Sequence, residues 1–182
     1  MAVERKTTSY QDQEGVVNIS SRARESSADG QLLSNLAHTP FWLDGKFYES
    51  REGLWQGLYF PEGSEERARI ATLFGKEAKM AGMNKPQGMT HIMYEGRLIE
   101  IGSQEHREIM RRAIHASMQN PDNPETRKAL LRTEHKILTH VLRKEDGSVE
   151  PDSKSLPATI FTQMLMDERE ALINTPSSSR VQ

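Results

Sequence analysis

The chain has 182 residues, enough for one domain with a hydrophobic core and too few for two domains of ordinary size. Hydrophobic residues make up 35% and charged residues 27% of the sequence, which is typical of a soluble globular protein. The net charge of −2 argues against a protein that coats duplex nucleic acid through phosphate contacts. The lack of cysteine excludes disulfides, thiolate metal sites and cysteine nucleophiles.

Both ends of the sequence are polar. The N-terminal segment has no apolar run for a signal peptide, and nowhere do about 18 consecutive apolar residues occur that could span a membrane. We therefore expect a cytoplasmic protein without membrane contact. Residues 1–14 and the serine-rich tail 174–182 are predicted to be flexible, which leaves one domain at 15–173.

The N-terminal part of this domain predicts short strands. The run VVNI at 16–19 is β-prone, and the polar stretch after it ends in a predicted turn at Asp29-Gly30. The stretch PFWLDGKFY at 40–48 carries Asp44-Gly45 between apolar residues, which predicts a β-hairpin.

Helices dominate the rest of the sequence, where apolar residues recur at helical spacing after capping residues. They are predicted at 50–60, at 64–82, at 103–119, from Asn123-Pro124 to 133 and at 156–173, with one strand at 136–142. The pattern predicts an α+β fold: a mostly helical single domain with a small N-terminal β element.

Common catalytic and cofactor motifs are missing from the sequence. It contains no GxxxxGK[ST] phosphate loop, no GxGxxG after a strand, no HExxH helix and no GxSxG elbow. The six histidines lack metal-ligand spacing. We therefore expect neither a metal site nor a cofactor.

The predicted helix SREGLWQGLYF at 50–60 carries polar residues on an apolar background. Glu52 and Gln56 lie one turn apart and share one edge of the helix. Glu52 is either a surface or arginine-paired carboxylate, or a catalytic group that faces a cleft. Gly53 and Gly57 each cost roughly 1 kcal/mol in a helix, which indicates that a packed segment or a ligand approaches the backbone.

This region carries a resemblance to a known family. LSNLAHTPFWLDGKFYESREGLWQGLYF resembles the start of the NADAR superfamily, which includes the YbiA-like N-glycosidases. The shared pattern is a Ser-Asn pair, an apolar-DGK-aromatic hairpin and a Ser-x-Glu sequence that leads into an aromatic-Gln helix. The resemblance continues through GKEAKMAG, IMRRAIHASMQNP, ETRKALLRT and MLMDEREAL, and covers about residues 16–173.

The resemblance implies a YbiA-like fold and hydrolysis of an N-glycosidic bond between a ribose 5-phosphate unit and a nitrogen base or amine. Glu52 takes the place of the family's helix glutamate, as general base or as electrostatic stabiliser of a cationic transition state. Gln56 matches the family's glutamine, and Ser34 and Asn35 match the Ser-Asn pair.

Further binding residues are expected from their chemistry and position. Lys76 and Lys79 lie at the family's basic second-helix end and suit phosphate oxygens. Tyr48 and Trp55 are candidates for stacking on a base, with core packing as the alternative for Trp55. Gly53 is a candidate for close approach of a ribose. For Arg22 and Arg24, a solvated loop charge is favoured over phosphate binding.

One segment departs from the family pattern. YbiA-like members carry Trp-Gly and Gly-Lys-Asn before the last helix, where this chain has EDGSVEPDSKSLPATIF and offers Asp152, Lys154 and Ser155 as substitutes. This difference and the long WQGLYFPEG form favour the branch that removes ADP-ribose from guanine in nucleic acid. The alternatives are hydrolysis of phosphorylated riboflavin biosynthesis intermediates and a non-catalytic ADP-ribose or nucleotide sensor.

The resemblance also suggests partners. They are an ADP-ribosyl or ribose-phosphate substrate, a transient contact with modified nucleic acid, and a partner ADP-ribosyltransferase toxin.

Overall fold

The computed structural model describes residues 13–175, so the predicted flexible segments lie outside the described residues except at positions 13, 14, 174 and 175. The described part is an α+β domain, as predicted, with two-stranded ladders among helices. Its strands are β1 (Val16–Asn18), β2 (Phe41–Leu43), β3 (Lys46–Tyr48), β4 (His91–Tyr94), β5 (Arg97–Glu100) and β6 (Ile137–Thr139). Its helices are α1 (Ala28–Leu32), α2 (Arg51–Gly57), α3 (Glu65–Ala71), α4 (Gly75–Gly82), α5 (Gln104–Gln119), α6 (Pro124–Arg132) and α7 (Ala158–Asn174). None of these helices meets the length and hydropathy needed to cross a membrane.

The first and last strands join distant parts of the chain. β1 pairs in parallel with β6, with Val17 opposite Leu138. Asn18 reinforces the junction: its Nδ2 donates to Glu25 O at 2.8 Å and to Val141 O at 3.0 Å, and its Oδ1 accepts from Val141 N at 2.8 Å. The segment after β6 is thereby held beside the loop after β1.

Two β-hairpins have the same turn chemistry, but the sequence predicted only one of them. Asp44 and Gly45 connect β2 to β3 with φ angles of 49° and 73°, as the predicted Asp-Gly turn requires. Glu95 and Gly96 connect β4 to β5 with φ angles of 49° and 70°. The second hairpin was missed because glutamate enters the left-handed region less readily than aspartate, so Glu-Gly is a weaker signal.

The single helix predicted at 64–82 is wrong, because the chain forms two helices there. Ser64 caps α3 and Gly82 ends α4, both as predicted. Between the two helices, Gly75 has a φ of 61° and its N donates to Leu36 O at 2.8 Å. This break lets α3 and α4 both pack against α2.

The turn predicted at Asp29-Gly30 is also wrong, since both residues lie in α1. Ser27 caps this helix by accepting a hydrogen bond from Gly30 N at 3.3 Å. A Cβ at position 30 would lie only 2.3 Å from Asn18 O and 2.1 Å from Ser26 Oγ. The glycine therefore permits close packing against β1 instead of a turn.

The later helices match the sequence pattern. Ser103 caps α5, and Pro124 takes the first position of α6. The stripe predicted for α5 is buried: Ile109, Met110, Ala113, Ile114, Ser117 and Met118. α7 packs against α5, α6 and β6 and closes the core.

Candidate active site

The candidate site is built around the N-terminus of α2. Ser50 caps this helix, accepting a hydrogen bond from Gly53 N at 2.9 Å and donating one to Leu73 O at 2.8 Å. The loop after α1 packs on the same end, because Glu52 N donates to Asn35 O at 3.0 Å. These bonds fix the backbone of Glu52 and bring Asn35 beside it.

Arg51 supports this loop from inside the core. Its side chain is fully buried, and its Nη2 donates to Leu33 O at 2.8 Å and to Ser34 O at 3.2 Å. Burial lowers the pKa of Arg51 to about 10. Within residues 13–175 its Nε and Nη1 have no hydrogen-bond partner, so the guanidinium stabilises the loop at a considerable desolvation cost.

Glu52 is 7% exposed and faces a cavity of about 240 Å³, which we call the inner cavity. Gln56 Nε2 donates to Glu52 Oε1 at 2.9 Å, as expected from their shared helix edge. Burial raises the pKa of the Glu52 carboxyl, while the Gln56 hydrogen bond and the charges of Lys79 and Lys85 act in the opposite direction. Glu52 is therefore a cleft carboxyl group and not a surface charge.

The inner cavity brings together residues from distant segments. Six of the residues predicted for the site line it: Ser34, Asn35, Glu52, Trp55, Gln56 and Lys79. Sequence reasoning missed others, including Ser21, His140, Ser153, Leu156 and Phe161. No local motif marks these residues, because the β1–β6 pairing and the packing of α7 place them there.

The aromatic and amide side chains of α2 are held by neighbouring packing. The rings of Trp55 and His106 stack with centroids 4.2 Å apart, so Trp55 combines core packing with one face of the cavity. Burial lowers the pKa of His106 to about 4, which keeps the ring neutral at pH 7. Gln56 packs on Gly82, where a Cβ would lie only 1.9 Å from Gln56 Oε1.

The polar side-chain atoms of the residues that line the inner cavity differ, because some already have a hydrogen-bond partner within the protein and others do not. Ser34 Oγ accepts a hydrogen bond from Leu36 N at 3.3 Å and so shapes its own loop. Asn35 Oδ1 is buried and has no hydrogen-bond partner in the described part of the chain. A ligand hydroxyl in the cavity would supply the missing donor.

His140 lines the same cavity. Its Nδ1 lies 2.6 Å from Ile19 O, which requires Nδ1 to carry the proton and donate it. In the neutral ring Nε2 is then an acceptor. Phe161 contacts the ring edge-on at 5.8 Å between centroids and fixes its orientation.

The cations around the cavity are not equivalent. Lys79 lines the cavity and is exposed to solvent. Arg22 also lines it, but its guanidinium donates to Glu150 Oε1 at 2.6 Å and to Glu25 Oε1 at 3.3 Å. Arg24 lies 3.7 Å from the same Glu25 carboxylate and outside the cavity lining. Lys79 is therefore the better candidate for a ligand phosphate.

Two residues predicted to bind substrate lie in the packed interior instead. Tyr48 is buried in β3 and stacks on Phe41 at 5.5 Å between ring centroids, because the hairpin register turns it towards the core. Gly53 faces α3, since a Cβ there would lie 2.8 Å from both Ile70 O and Leu73 O. The close approach predicted for Gly53 is therefore made by a helix.

Lys76 and Asp152 also lie away from the inner cavity. Lys76 lines a separate surface cleft beside His38 and Gly75. Asp152 Oδ1 accepts a hydrogen bond from Ala158 N at 2.9 Å, so it serves the first turn of α7. Lys76 lies on α4 and Asp152 lies before α7, and these positions keep both side chains away from the inner cavity. Their charge alone did not indicate this location.

Lys154 and Ser155 line a second cavity of about 650 Å³, which we call the outer cavity. Ser153 lines both cavities, so the two adjoin. The segment that departs from the family pattern thus forms part of the wall of each cavity.

This architecture is similar to that of the E. coli protein YbiA. The NMR structure of YbiA matches with a TM-score of 0.61 at 21% sequence identity, over 99% of this chain and 98% of YbiA. The match confirms the YbiA-like fold that the resemblance to the NADAR superfamily implied. At this identity the match establishes the fold and not the activity.

The sequence also matches a family described as bacteriophage protein GP30.3 over residues 28–170. The chain therefore belongs to the bacteriophage protein GP30.3 family. The matched region contains α2 with Glu52 and the segment that lines both cavities. Among curated proteins, none matches the sequence at a significant level.

Proposed function

We propose that the chain is an N-glycosidase that hydrolyses the bond between ADP-ribose and a nitrogen base, with ADP-ribosylated guanine in nucleic acid as its substrate. The proposal rests mainly on the surroundings of the Glu52 carboxyl group. It is buried at a cavity, its pKa is raised by burial, and Gln56 orients it. Raised carboxyl pKa values in clefts are typical of groups that work in acid–base catalysis.

The reaction needs a negative group close to the anomeric carbon. Breaking the C1″–N bond places positive charge on the ribose ring, and an ionised Glu52 stabilises that charge or removes a proton from the attacking water. The water supplies the hydroxyl group on C1″. The released base takes up the other proton.

The remaining polar groups suit a ribose in the inner cavity. Asn35 Oδ1 accepts from a ribose hydroxyl and so gains the partner that it lacks. His140 Nε2 accepts from a second hydroxyl in the neutral ring. Lys79 at the rim attracts the phosphate group that follows the ribose.

The segment after β6 supports the choice of an ADP-ribosyl substrate over riboflavin intermediates. It lacks the Trp-Gly and Gly-Lys-Asn stretches of YbiA-like members, and it supplies Ser153, Leu156 and Phe161 to the inner cavity. A wall of different composition favours a different substrate, because pocket shape and polar placement set specificity. A transient contact with modified nucleic acid and a partner ADP-ribosyltransferase toxin belong to the same proposal.

The test is product analysis by mass spectrometry. Incubation with an ADP-ribosylated DNA oligonucleotide is expected to give free ADP-ribose and unmodified guanine in the strand. Phosphorylated riboflavin intermediates, incubated in parallel, are expected to remain intact. Binding of the modified oligonucleotide without release of ADP-ribose would support the sensor instead, and hydrolysis of only the riboflavin intermediates would support the housekeeping alternative.

A further inference from the structure

The outer cavity has the size of a ligand site. Its volume of about 650 Å³ falls within the range of about 300–1,000 Å³ that is usual for small-molecule pockets. The inner cavity, at about 240 Å³, is smaller and suits a ribose unit. Ser153 lines both cavities, so the two lie side by side.

The charge of the outer cavity favours an anion. Among the residues that the structure describes, its lining includes Lys85 and Lys154 and no carboxylate, although acidic residues outnumber basic ones in the whole chain. The Lys85 ammonium lies 4.1 Å from the centre of the Tyr59 ring, which holds the cation at the cavity wall. Both lysines are exposed to solvent, so a phosphate can reach them.

The rest of the lining is apolar and suits a flat ring. Met83, Met89 and Ile101 contribute thioether and aliphatic surface between the loop after α4 and the end of β5. Methionine side chains adapt to aromatic ligands and make favourable sulfur–ring contacts. A lining that combines lysine ammonium groups for a phosphate with apolar surface for a base matches a nucleotide.

Hydrogen bonds within the protein hold the wall that the two cavities share. Arg107 Nε donates to Ser155 O at 3.1 Å, and Tyr59 Oη donates to Ser155 Oγ at 3.3 Å. Ser153 Oγ accepts from Leu156 N at 3.1 Å. Because these bonds already fix the wall, less conformational entropy is lost when a ligand binds.

We propose that the outer cavity binds a nucleoside monophosphate, with its phosphate at Lys85 and Lys154 and its base against Met83, Met89 and Ile101. The proposal deepens and rests on the proposed function, because this nucleotide is then the AMP half of the ADP-ribosyl group whose distal ribose lies at Glu52. The wall at Ser153 is where the two halves of the substrate meet.

Equilibrium binding of two probes, AMP and ribose 5-phosphate, tests this assignment by isothermal titration calorimetry. Lys85→Ala and Lys154→Ala are each expected to weaken AMP binding about tenfold, the loss typical of one charge-assisted contact, and to leave ribose 5-phosphate binding unchanged. Lys76→Ala is the matched control, since Lys76 is an exposed lysine outside both cavities, and it should change neither affinity.

Competition experiments distinguish the source of the nucleotide. AMP and ribose 5-phosphate are expected to bind together, and ADP-ribose is expected to displace both. Mutual displacement of AMP and ribose 5-phosphate, or unchanged AMP binding in both lysine variants, would overturn the proposal. Displacement of AMP by an unmodified oligonucleotide but not by ADP-ribose would assign the cavity to the nucleic-acid strand and overturn the AMP assignment. These binding experiments do not require the protein to be active. A protein that shows the expected binding but no hydrolysis would therefore refute only the proposed function.

Discussion

The Glu52 carboxyl group is buried beside Trp55 and Gln56, and burial raises its pKa. A carboxyl group with a raised pKa in the folded protein stabilises the fold when protonated. That contribution is complete below the pKa of the unfolded chain, about 4.3, and is lost as pH rises through the folded pKa. The catalytic candidate therefore weakens the fold at neutral pH, as is common for functional sites.

Replacement of Glu52 by glutamine removes this penalty. We expect Glu52→Gln to unfold at a higher temperature than the parent protein at pH 8, and at a similar temperature at pH 4. A difference of about 1 kcal/mol would shift the Tm of a domain of this size by roughly 2–4 °C. Thermal unfolding followed by circular dichroism at both pH values measures the effect.

Glu66→Gln serves as the control for this measurement. Glu66 is a partly exposed carboxylate on α3, and its hydrogen bond to Arg69 lowers its pKa, so its loss should not stabilise the fold at pH 8. A loss of stability in Glu52→Gln at pH 8 would mean that the surroundings favour the ionised form, contrary to the account.

Helix α2 contains two glycines whose surroundings differ. A Cβ at Gly53 would lie 2.8 Å from two backbone oxygens of the α3 region, whereas the nearest atom to a Cβ at Gly57 would be 3.6 Å away, on Arg67. Backbone oxygens cannot rotate away as a side chain can. Only Gly53 is therefore required by the contact between α2 and α3.

The pair Gly53→Ala and Gly57→Ala tests this distinction within one helix. We expect Gly53→Ala to lose about 1–3 kcal/mol because the helices must move apart. Gly57→Ala is expected to be neutral or to gain up to about 1 kcal/mol from helix propensity. Urea unfolding gives both values, and equal losses in the two variants would contradict the described packing.

Local chemistry made some elements predictable and tertiary packing hid others. The Asp44-Gly45 hairpin and the Ser64 and Ser103 caps follow from short-range hydrogen bonding, and the sequence predicted them correctly. The break at Gly75 was missed because the residues around it fit a continuous helical pattern. Its reversal is stabilised by a hydrogen bond to Leu36, which lies far away in the sequence.

At the scale of the whole molecule, the site joins segments that are distant in sequence. The shared location of Glu52, Gln56 and Asn35 was predictable, because their motifs lie close together in the chain. His140 and Ser153 reach the cavity only through the pairing of β1 with β6, for which the sequence carries no local signal. The positions of Tyr48 and Lys76 were missed for the opposite reason, since residue type suggested binding and packing placed them elsewhere.

Turnover and binding, compared between Glu52→Gln and the parent protein, test directly whether Glu52 takes part in the reaction. Using the ADP-ribosylated oligonucleotide, we expect its rate of ADP-ribose release to fall by about 10²–10⁴-fold, the usual contribution of a positioned acid–base group. Its affinity for the product ADP-ribose should stay close to that of the parent protein, because glutamine preserves the shape of the site. Hydrolysis at the parent rate in this variant would show that Glu52 takes no part in the reaction.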